Sequence, residues 1–519
     1  MAFGLASVYP RNTRLVSLAE AGWRADVAAG ALGAFSAGAL PPFHIIPLLL
    51  FTVPALLTLI DQAPRPATAF RFGFWFGFGH HLLGLYWITD AILFEAARFW
   101  WFVPLAVPGL SALLAVFIAV PCALARLSRA GLPRLLVLAG LWTLGDLARQ
   151  FVASGFPWNP WASVWAIPGL LGDIMLQPLA WIGTPGLTLV TVFLAGLPGL
   201  GRPGWMALAA ALPLWAGLGA LRLSERPQPA PKLNVVVVQG DIPEGEKWSA
   251  ERAEQILDRY ILLTAEAIAK VGSGKAVVVW PETASPYPLE GAAMLRSIIA
   301  ASANPAGRAA SAWALVGSVR FGPDKRPRNS LFALTPSGAV GGVYDKWHLV
   351  PGGEYQPSWL PLPVQIVPGG GFVPGSGPQT LYGDGLAPVG PFICYEAIFP
   401  HAVIDEAHRP QWMVNVTNDA WFGNSSGPRQ HLAAARMRAV EEGLPLVRAA
   451  NTGISAVFDA HGHEIARIAL NREGSLVVPL PGSLPPPLFA RFGLWIPGLL
   501  AGFVLALGII GSRVYKNQI

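Results

Sequence analysis

Long apolar stretches set the first limit on what this chain can become. Eight segments read as membrane spans, at about 24–40, 42–60, 72–94, 102–125, 134–152, 177–200, 204–221 and 492–511. Crossing the hydrocarbon layer takes roughly 20 mostly apolar residues. In lipid every backbone polar group must be satisfied inside the segment, so such stretches form helices. The fourth carries Pro108 and Pro121, which a membrane helix tolerates. The first is rich in Ala and Gly and could pass for a signal peptide. A second apolar span follows almost at once, so it reads as a retained helix. The chain thus divides into a transmembrane domain of about seven helices (1–222), a polar domain (223–490), and a last transmembrane helix with its tail (491–519).

The charges follow the same division. Of 519 residues, 53% are hydrophobic and only 13% charged, and the mean hydropathy is +0.47. These values exclude an ordinary cytosolic enzyme and a disordered chain. The pI of 9.4 suggests nucleic acid. Yet the apolar parts hold 15 Lys and Arg against 7 Asp and Glu, and the polar domain holds 21 against 23. A nucleic-acid binder needs its basic face on a folded domain, so that partner is excluded. The basic residues instead orient the spans. With the N-terminus inside, that side holds Arg11, Arg14, Arg24, Arg65, Arg71, Arg126, Arg129, Arg134, Arg202, Arg513 and Lys516. The outer side holds Arg98, Arg149, Arg222 and Arg491. Both termini are then inside and 223–490 faces out. Between two spans, Phe156, Trp158, Trp161 and Trp165 read as an interfacial aromatic belt or as a re-entrant wall lining a lipid slot. Asp90, Glu95 and Asp146 lie near span ends, where capping competes with function.

The polar domain follows a Pro-rich linker, Arg222 to Pro231. Strands are expected at Leu233–Gln239, Ala276–Trp280, Ala314–Val319, Ser330–Leu334, Val389–Cys394 and Trp412–Val416. Helical periodicity falls at about 250–271, 291–302, 399–408 and 427–443. This is an α/β domain, and it lacks the glycine-rich signatures of nucleotide binding.

Three segments carry reactive groups at strand ends, where α/β folds collect them. They are Val279-Trp280-Pro281-Glu282-Thr283, Tyr344-Asp345-Lys346-Trp347-His348-Leu349-Val350-Pro351 with Gly352-Gly353-Glu354-Tyr355, and Pro391-Phe392-Ile393-Cys394-Tyr395-Glu396. A thiolate attacks carbonyl carbon well, but a free thiol is mostly protonated at neutral pH. Glu282 could take its proton if burial raised the carboxyl's own pKa. Lys346 could steady an oxyanion and favour the thiolate, and Glu354 could position substrate or base. Residue types alone leave other readings open. Cys394 could be a small core residue, the Lys–Glu pair a surface ion pair, and His348 a rival base. Cys122 lies in a span and reads as packing. His80-His81 and His461-Gly462-His463 lack further ligands at metal spacing, so no metal is expected.

Together the three segments resemble the nitrilase, or carbon–nitrogen hydrolase, superfamily. That resemblance implies a four-layer α-β-β-α sandwich and a catalytic Glu282, Lys346 and Cys394. Spans on both sides of such a domain resemble, more narrowly, the bacterial apolipoprotein N-acyltransferase family. Further matching stretches are Val238-Gln239-Gly240-Asp241-Ile242-Pro243 leading to Lys247-Trp248, Asn418-Asp419-Ala420-Trp421-Phe422-Gly423, and Gln430-His431 running into Ala435-Arg436-Met437-Arg438-Ala439. The resemblance implies transfer of a fatty acyl chain from the sn-1 position of a phospholipid, through a thioester on Cys394, to the α-amine of an S-diacylglyceryl-cysteine apolipoprotein. This is a two-step ping-pong scheme without a cofactor. Trp248, Glu354, Tyr395, Glu396 and Trp421 would shape or support the site. The setting implied is the bacterial inner membrane, with a monomer whose catalytic domain is periplasmic and whose termini are cytoplasmic. The apolar stretch 356–376, with Leu360 and Phe372, is expected to be a lid dipping into lipid. A membrane-tethered amidase would share the triad but explains neither the spans nor the apolar loops. A transporter would call for paired charges within spans or an internal repeat, and a pseudoenzyme would not keep all three triad residues.

Overall fold

The computed structural model describes residues 22–94, 96–247, 249–306, 311–358 and 371–514. The chain forms two compact units, one of Met1–Leu223 with Phe492–Ile519 and one of Ser224–Arg491.

The first unit is helical. Its main helices are α1 (Trp23–Ala37), α2 (Leu49–Gln62), α3 (Pro66–Gly84), α4 (Val103–Ala125), α5 (Leu132–Ala148), α6 (Leu179–Gly196), α7 (Arg202–Leu223) and a C-terminal helix, Trp495–Val514. A helix thus occupies each of the eight apolar segments. Among the described residues, four runs are long and apolar enough to cross a membrane alone: Trp100–Ala125, Leu179–Leu200, Arg202–Leu223 and Trp495–Arg513. The others are shorter than the sequence suggests. At 15 residues, α1 reaches about 22 Å, less than the roughly 30 Å hydrocarbon layer. Prolines move the boundaries: Pro41, Pro42 and Pro47 delay α2 to Leu49, and Pro66 starts α3 at its first turn.

The surface of this unit is apolar where a soluble protein's would be polar. Trp205, Leu214, Leu221, Trp495, Leu499, Phe503 and Ile510 all face outward. Inside, small residues let helices touch. A Cβ on Gly33 in α1 would lie 2.6 Å from the carbonyl carbon of Phe76 in α3. Cys122 is fully buried against Gly73, consistent with packing. Arginines from the basic side are tied to neighbouring elements: Arg71 pairs with Asp26 at 2.8 Å, Arg126 donates to the Ala63 carbonyl at 2.6 Å, and Arg134 pairs with Asp61.

The tryptophan segment is not an exposed interfacial belt. Trp158, Trp161 and Trp165 are buried within the helical unit. Trp161 packs 4.7 Å from Trp142, Trp158 packs 4.6 Å from Trp87, and Trp165 donates to Thr191 at 2.8 Å. The segment Trp161–Trp165 is a 3-10 turn, short enough to fit among the helices. Aromatic pairs packed in this way contribute about 0.5–1.5 kcal/mol each beyond the area they bury. Asp146 pairs with Arg149 at 3.0 Å near the end of α5. Glu95 lies outside the described residues.

The second unit contains two six-stranded sheets. The strands are β1 (Asn234–Gln239), β2 (Ala276–Val279), β3 (Ala312–Phe321), β4 (Pro327–Leu334), β5 (Val340–Asp345), β6 (Leu381–Gly383), β7 (Leu386–Ile393), β8 (Trp412–Thr417), β9 (Leu446–Ala450), β10 (Ser455–Phe458), β11 (Glu464–Ile468) and β12 (Gly474–Pro479). The sheet orders are β12-β1-β2-β3-β4-β5 and β11-β10-β9-β8-β7-β6. Each has a parallel centre, β1-β2-β3 and β7-β8-β9, with antiparallel strands outside. Alternation explains the layers. In β1, Val235 and Val237 join a core shared by both sheets, with Leu315 and Tyr344 from one and Val389, Val414 and Val447 from the other. Val236 and Val238 face the opposite way, onto α8 (Ala253–Val271) and α9 (Ala293–Ala303). The far side of the second sheet packs on α10 (Gly427–Glu442) through Phe392, Met413, Leu432 and Ala435. The result is an α-β-β-α sandwich.

The helix expected at 399–408 is absent; the segment consists of turns. Pro400 and the positive φ of 57° at His401 break the helical path. The strand expected to include Cys394 ends at Ile393, and Cys394 opens a 3-10 turn, Cys394–Ile398.

Candidate active site

The C-terminal ends of β2, β5, β7 and β8 carry the candidate groups. Glu282 follows β2 by a short turn through Trp280 and Pro281. That turn is held against β3, where the Trp280 N–H donates to Leu315 O at 2.9 Å and the Ser285 N–H to Gly317 O at 3.0 Å. Gly317 is needed there. A Cβ on it would lie 2.8 Å from Glu282 Cα and 2.6 Å from Thr283 N, against an ordinary carbon contact of about 3.5–4.0 Å.

Glu282 is buried, and both carboxylate oxygens are engaged. Oε1 accepts from Asn329 Nδ2 at 2.6 Å and Lys346 Nζ at 3.3 Å. Oε2 accepts the Asn418 backbone N–H at 2.8 Å. Burial pushes this carboxyl up, but Lys346, Lys247, Asn329 and the Asn418 N–H together hold it below the usual glutamate range. The raised pKa expected from burial alone is therefore not found: two cations and two hydrogen-bond donors outweigh desolvation.

Lys346 stands directly after β5 and is fully buried. Its Nζ lies 2.9 Å from Glu354 Oε1 and 2.8 Å from Glu354 Oε2. Burial pulls the ammonium down, but Glu282 and Glu354 keep it well above the usual lysine range. Glu354 also accepts from Asn329 at 3.0 Å and from the Val350 N–H at 2.8 Å. It therefore holds Lys346 and the loop that follows it. This is a buried ion pair whose remaining lone pairs are satisfied, and the surface-pair reading does not apply.

Cys394 is buried, and its φ is +49°. That is left-handed backbone at a non-glycine residue, which costs about 1–2 kcal/mol and persists only where neighbours fix it. Glu396 is the main fixing group. Its carboxylate accepts the N–H groups of Ile393 (2.5 Å), Trp347 (2.8 Å) and His348 (3.1 Å) and the Tyr344 hydroxyl (2.8 Å). One side chain thus ties the Cys394 turn to the Lys346 loop. Behind it, His431 Nε2 lies 2.9 Å from the Cys394 carbonyl and Nδ1 lies 2.9 Å from Asp419 Oδ1, while Arg448 donates to Asp419 Oδ2 at 2.7 Å. Burial first, then the Glu282 charge, pushes the Cys394 thiol well above its ordinary value, against the pull of Lys346. The resting site is a thiol beside a carboxylate and an ammonium.

The remaining candidates divide. Tyr395 is buried, edge-on to Phe399 at 5.3 Å. Trp421 is 39% exposed on the turn Asp419–Phe422. Trp248 lies outside the described residues, as does 359–370, most of the expected lid. His348 stacks on Phe399, with ring centres 3.9 Å apart, and burial lowers it to about 4. Its main-chain N–H goes to Glu396, so it braces the turn. No group of three or more metal-binding side chains occurs among the described residues.

Several residues here were not singled out by sequence. Asn329 bridges Glu282 and Glu354 from the middle of an antiparallel region of β4. Gly317, Lys247, Asn418, His431 and Arg448 act through contacts far apart in the chain. The only sequence signal was the presence of Lys247, Asn418 and His431 in matching stretches.

Comparison with known proteins agrees with both units. The carbon-nitrogen hydrolase profile matches residues 234–483, and that of the apolipoprotein N-acyltransferase N-terminal domain matches residues 32–197. Among curated proteins, the apolipoprotein N-acyltransferase of Rhodopseudomonas palustris is 37% identical over 95% of this chain and 96% of its own length. That of Bradyrhizobium diazoefficiens is 37% identical, covering 98% of both chains. That of Brucella melitensis is 37% identical, covering 96% and 97%.

Proposed function

This chain belongs to the apolipoprotein N-acyltransferase family, and from that premise we propose that it carries a fatty acyl group from a phospholipid to the N-terminal amine of a lipoprotein. The observation that carries this reading is the joining of Glu282, Lys346 and Glu354 by bonds of 2.8–3.3 Å beside the strained Cys394, in a chain whose described residues include four helices long and apolar enough to cross a membrane. An amidase would account for the site but not for those helices.

The chemistry follows from the resting protonation. The Cys394 sulfur adds to the carbon of the sn-1 ester as its proton passes to Glu282. The displaced electron pair becomes an oxyanion, which Lys346 stabilises. Collapse breaks the ester C–O bond, and Glu282 returns the proton to the leaving lysophospholipid oxygen. A thioester remains on Cys394. The α-amine of an S-diacylglyceryl-cysteine then attacks that carbon, Glu282 takes a proton from nitrogen, and the sulfur leaves as thiolate and recovers it. Acyl donor and amine use one centre in turn, a ping-pong scheme. Glu354 holds Lys346, Glu396 holds the Cys394 turn, and Tyr395 packs beside it. Trp248 and Trp421 are proposed to bind substrate or support the site.

The arginine bias and the ties of Arg71, Arg126 and Arg134 support an orientation with the termini cytoplasmic and residues 223–490 periplasmic in an inner membrane. The enzyme acts as a monomer. Incubating purified protein with phospholipid alone and measuring its mass tests the reading. A fatty-acyl adduct on Cys394, absent from Cys394→Ala, is expected. An unmodified Cys394 would refute it.

A further inference from the structure

Glu282 is held by two sets of groups, and only one contains Lys346. Through Oε1 it meets Asn329 and Lys346, both of which also hold Glu354. Through Oε2 it meets the Asn418 N–H, and Asn418 Nδ2 in turn holds Glu244 Oε2 at 2.5 Å. Its main-chain carbonyl accepts Lys247 Nζ at 3.1 Å. Glu244 and Lys247 are the two ends of the short helix Glu244–Lys247, and both are buried. Asn451 locks this helix in place. It donates to Asn418 Oδ1 (3.0 Å) and Ile242 O (2.7 Å) and accepts the Ile242 N–H (2.9 Å). Each set contains one Asn, one Lys and one Glu.

We propose that Lys247, set by Glu244 and Asn418, is a second positioning lysine of the active centre, fixing Glu282 for proton transfer with Cys394. Burying an ammonium is costly unless opposite charge repays it. Burial pulls Lys247 below the usual lysine range, and the charges that oppose this pull are Glu244, Glu282 and Cys394, two of them the proposed reacting pair. Lys346 cannot do this alone. Its ammonium sits closer to Glu354, at 2.8 Å, than to Glu282, at 3.3 Å. When the thiol proton moves to Glu282, negative charge appears on sulfur and then on the ester oxygen. Lys247 adds a second positive charge at that moment and keeps the Glu282 backbone from shifting.

The inference rests on the Cys394–Glu282 reading above, and two assays separate their failures. Full-length protein in detergent is given a phosphatidylethanolamine with a fluorescent sn-1 chain, and the rate of acyl-Cys394 formation is followed. In parallel, Cys394 is alkylated with iodoacetamide and read by peptide mass. Lys247→Met should slow acylation about thirtyfold or more, with KM for lipid within about threefold, because misplacement near 1 Å costs about 100-fold. It should slow alkylation as well, and Lys247→Arg should restore most of both rates. Glu244→Gln leaves Lys247 present and should slow acylation about fivefold at unchanged KM, which keeps the test open if Lys247→Met misfolds. Methionine or glutamine variants acylating within twofold of wild type would overturn the proposal, as would a loss confined to KM. Wild-type protein that alkylates at Cys394 but takes no acyl chain would refute the donor assignment, while the alkylation rates would still judge Lys247.

Discussion

Gly317→Ala is the sharpest test of how Glu282, the proposed catalytic carboxylate, is placed. Gly317 lies in β3, far in sequence from Glu282, Lys346 and Cys394, yet its missing side chain is what lets the Glu282 turn approach. An added Cβ would stand 2.8 Å from Glu282 Cα and 2.6 Å from Thr283 N, and would also meet the Pro281 carbonyl oxygen. Restoring ordinary contact of about 3.5–4.0 Å moves the Glu282 backbone by roughly 0.7–1.2 Å. The neighbours on the other side are backbone and buried Asn and Lys groups, so the shift cannot be absorbed by a flexible side chain. It stretches the 2.6 Å bond to Asn329 and the 2.8 Å bond to Asn418. A displacement near 1 Å costs about 100-fold in rate, equivalent to about 2.7 kcal/mol of transition-state stabilisation. Overpacking of this kind costs a further ~1–3 kcal/mol of stability.

The assay is single-turnover acylation of Cys394 by phospholipid, followed by mass, beside thermal unfolding of the same samples. Gly291→Ala is the control, since nothing lies within 4 Å of its added Cβ. Gly317→Ala should acylate about 100-fold more slowly, and Gly291→Ala at the wild-type rate. A Gly317→Ala protein that folds and acylates within threefold of wild type would show that Glu282 placement does not limit the reaction.

Three other outcomes follow, two from buried carboxyl groups and one from packing. Burial pushes Glu396 up to about 7 against its three backbone N–H donors. A carboxyl raised above its unfolded value contributes most stability below about 4.5 and loses it as pH rises through about 7, here up to ~3 kcal/mol. Glu396→Gln should flatten that part of the unfolding profile and, by putting a donor against donors, destabilise the domain by ~3 kcal/mol. Asp419 behaves oppositely. Although burial raises it, Arg448 and His431 bring it down to about 2, so its ~2 kcal/mol is present above pH 3.8 and lost as pH falls toward 2. Asp419→Asn should remove this acid-side loss, measured by unfolding between pH 5 and 2. Cys122→Ala, far from the chemistry in sequence and packed against Gly73, should keep full acylation of Cys394 and lose ~1 kcal/mol of stability.

Much of the fold was readable because it rests on local patterns. The alternation Val235-Val236-Val237-Val238 sends successive valines to opposite faces, and a chain with that pattern at several strands makes a sheet covered on both sides. The apolar segments gave helices for the same reason. What failed locally was overridden by contacts distant in sequence. Trp158, Trp161 and Trp165 have the composition of an interface belt, but Trp87, Trp142, Thr191 and Trp215 offered them buried partners. At 399–408 helical spacing was present and Pro400 prevented its use. The candidate site shows the same division. Glu282, Lys346 and Cys394 are marked by strand ends and flanking residues. Asn329 reaches Glu282 across 47 positions and Asn418 reaches it across 136, and nothing in a strand's own pattern marks such a partner.

The electrostatics explain why these silent partners matter. Burial alone would raise both the Cys394 thiol and the Glu282 carboxyl, leaving an acid beside an acid and no base. The structure lets burial act on the thiol and cancels it at the carboxylate, through Lys346, Lys247, Asn329 and the Asn418 N–H. The thiol is pushed up in proton affinity and the carboxyl down. In the proposed reaction the proton crosses only when the charge it leaves behind is taken up, and an ester carbonyl beside Lys346 would take it up. Reactivity would then be conditional on an occupied site. For a chain that acts on lipid at a membrane surface, that condition matters: a resting thiolate would meet water and oxidants far more often than substrate. Beside the three residues proposed to perform the chemistry, the asparagines and the second lysine lower how tightly Glu282 holds a proton.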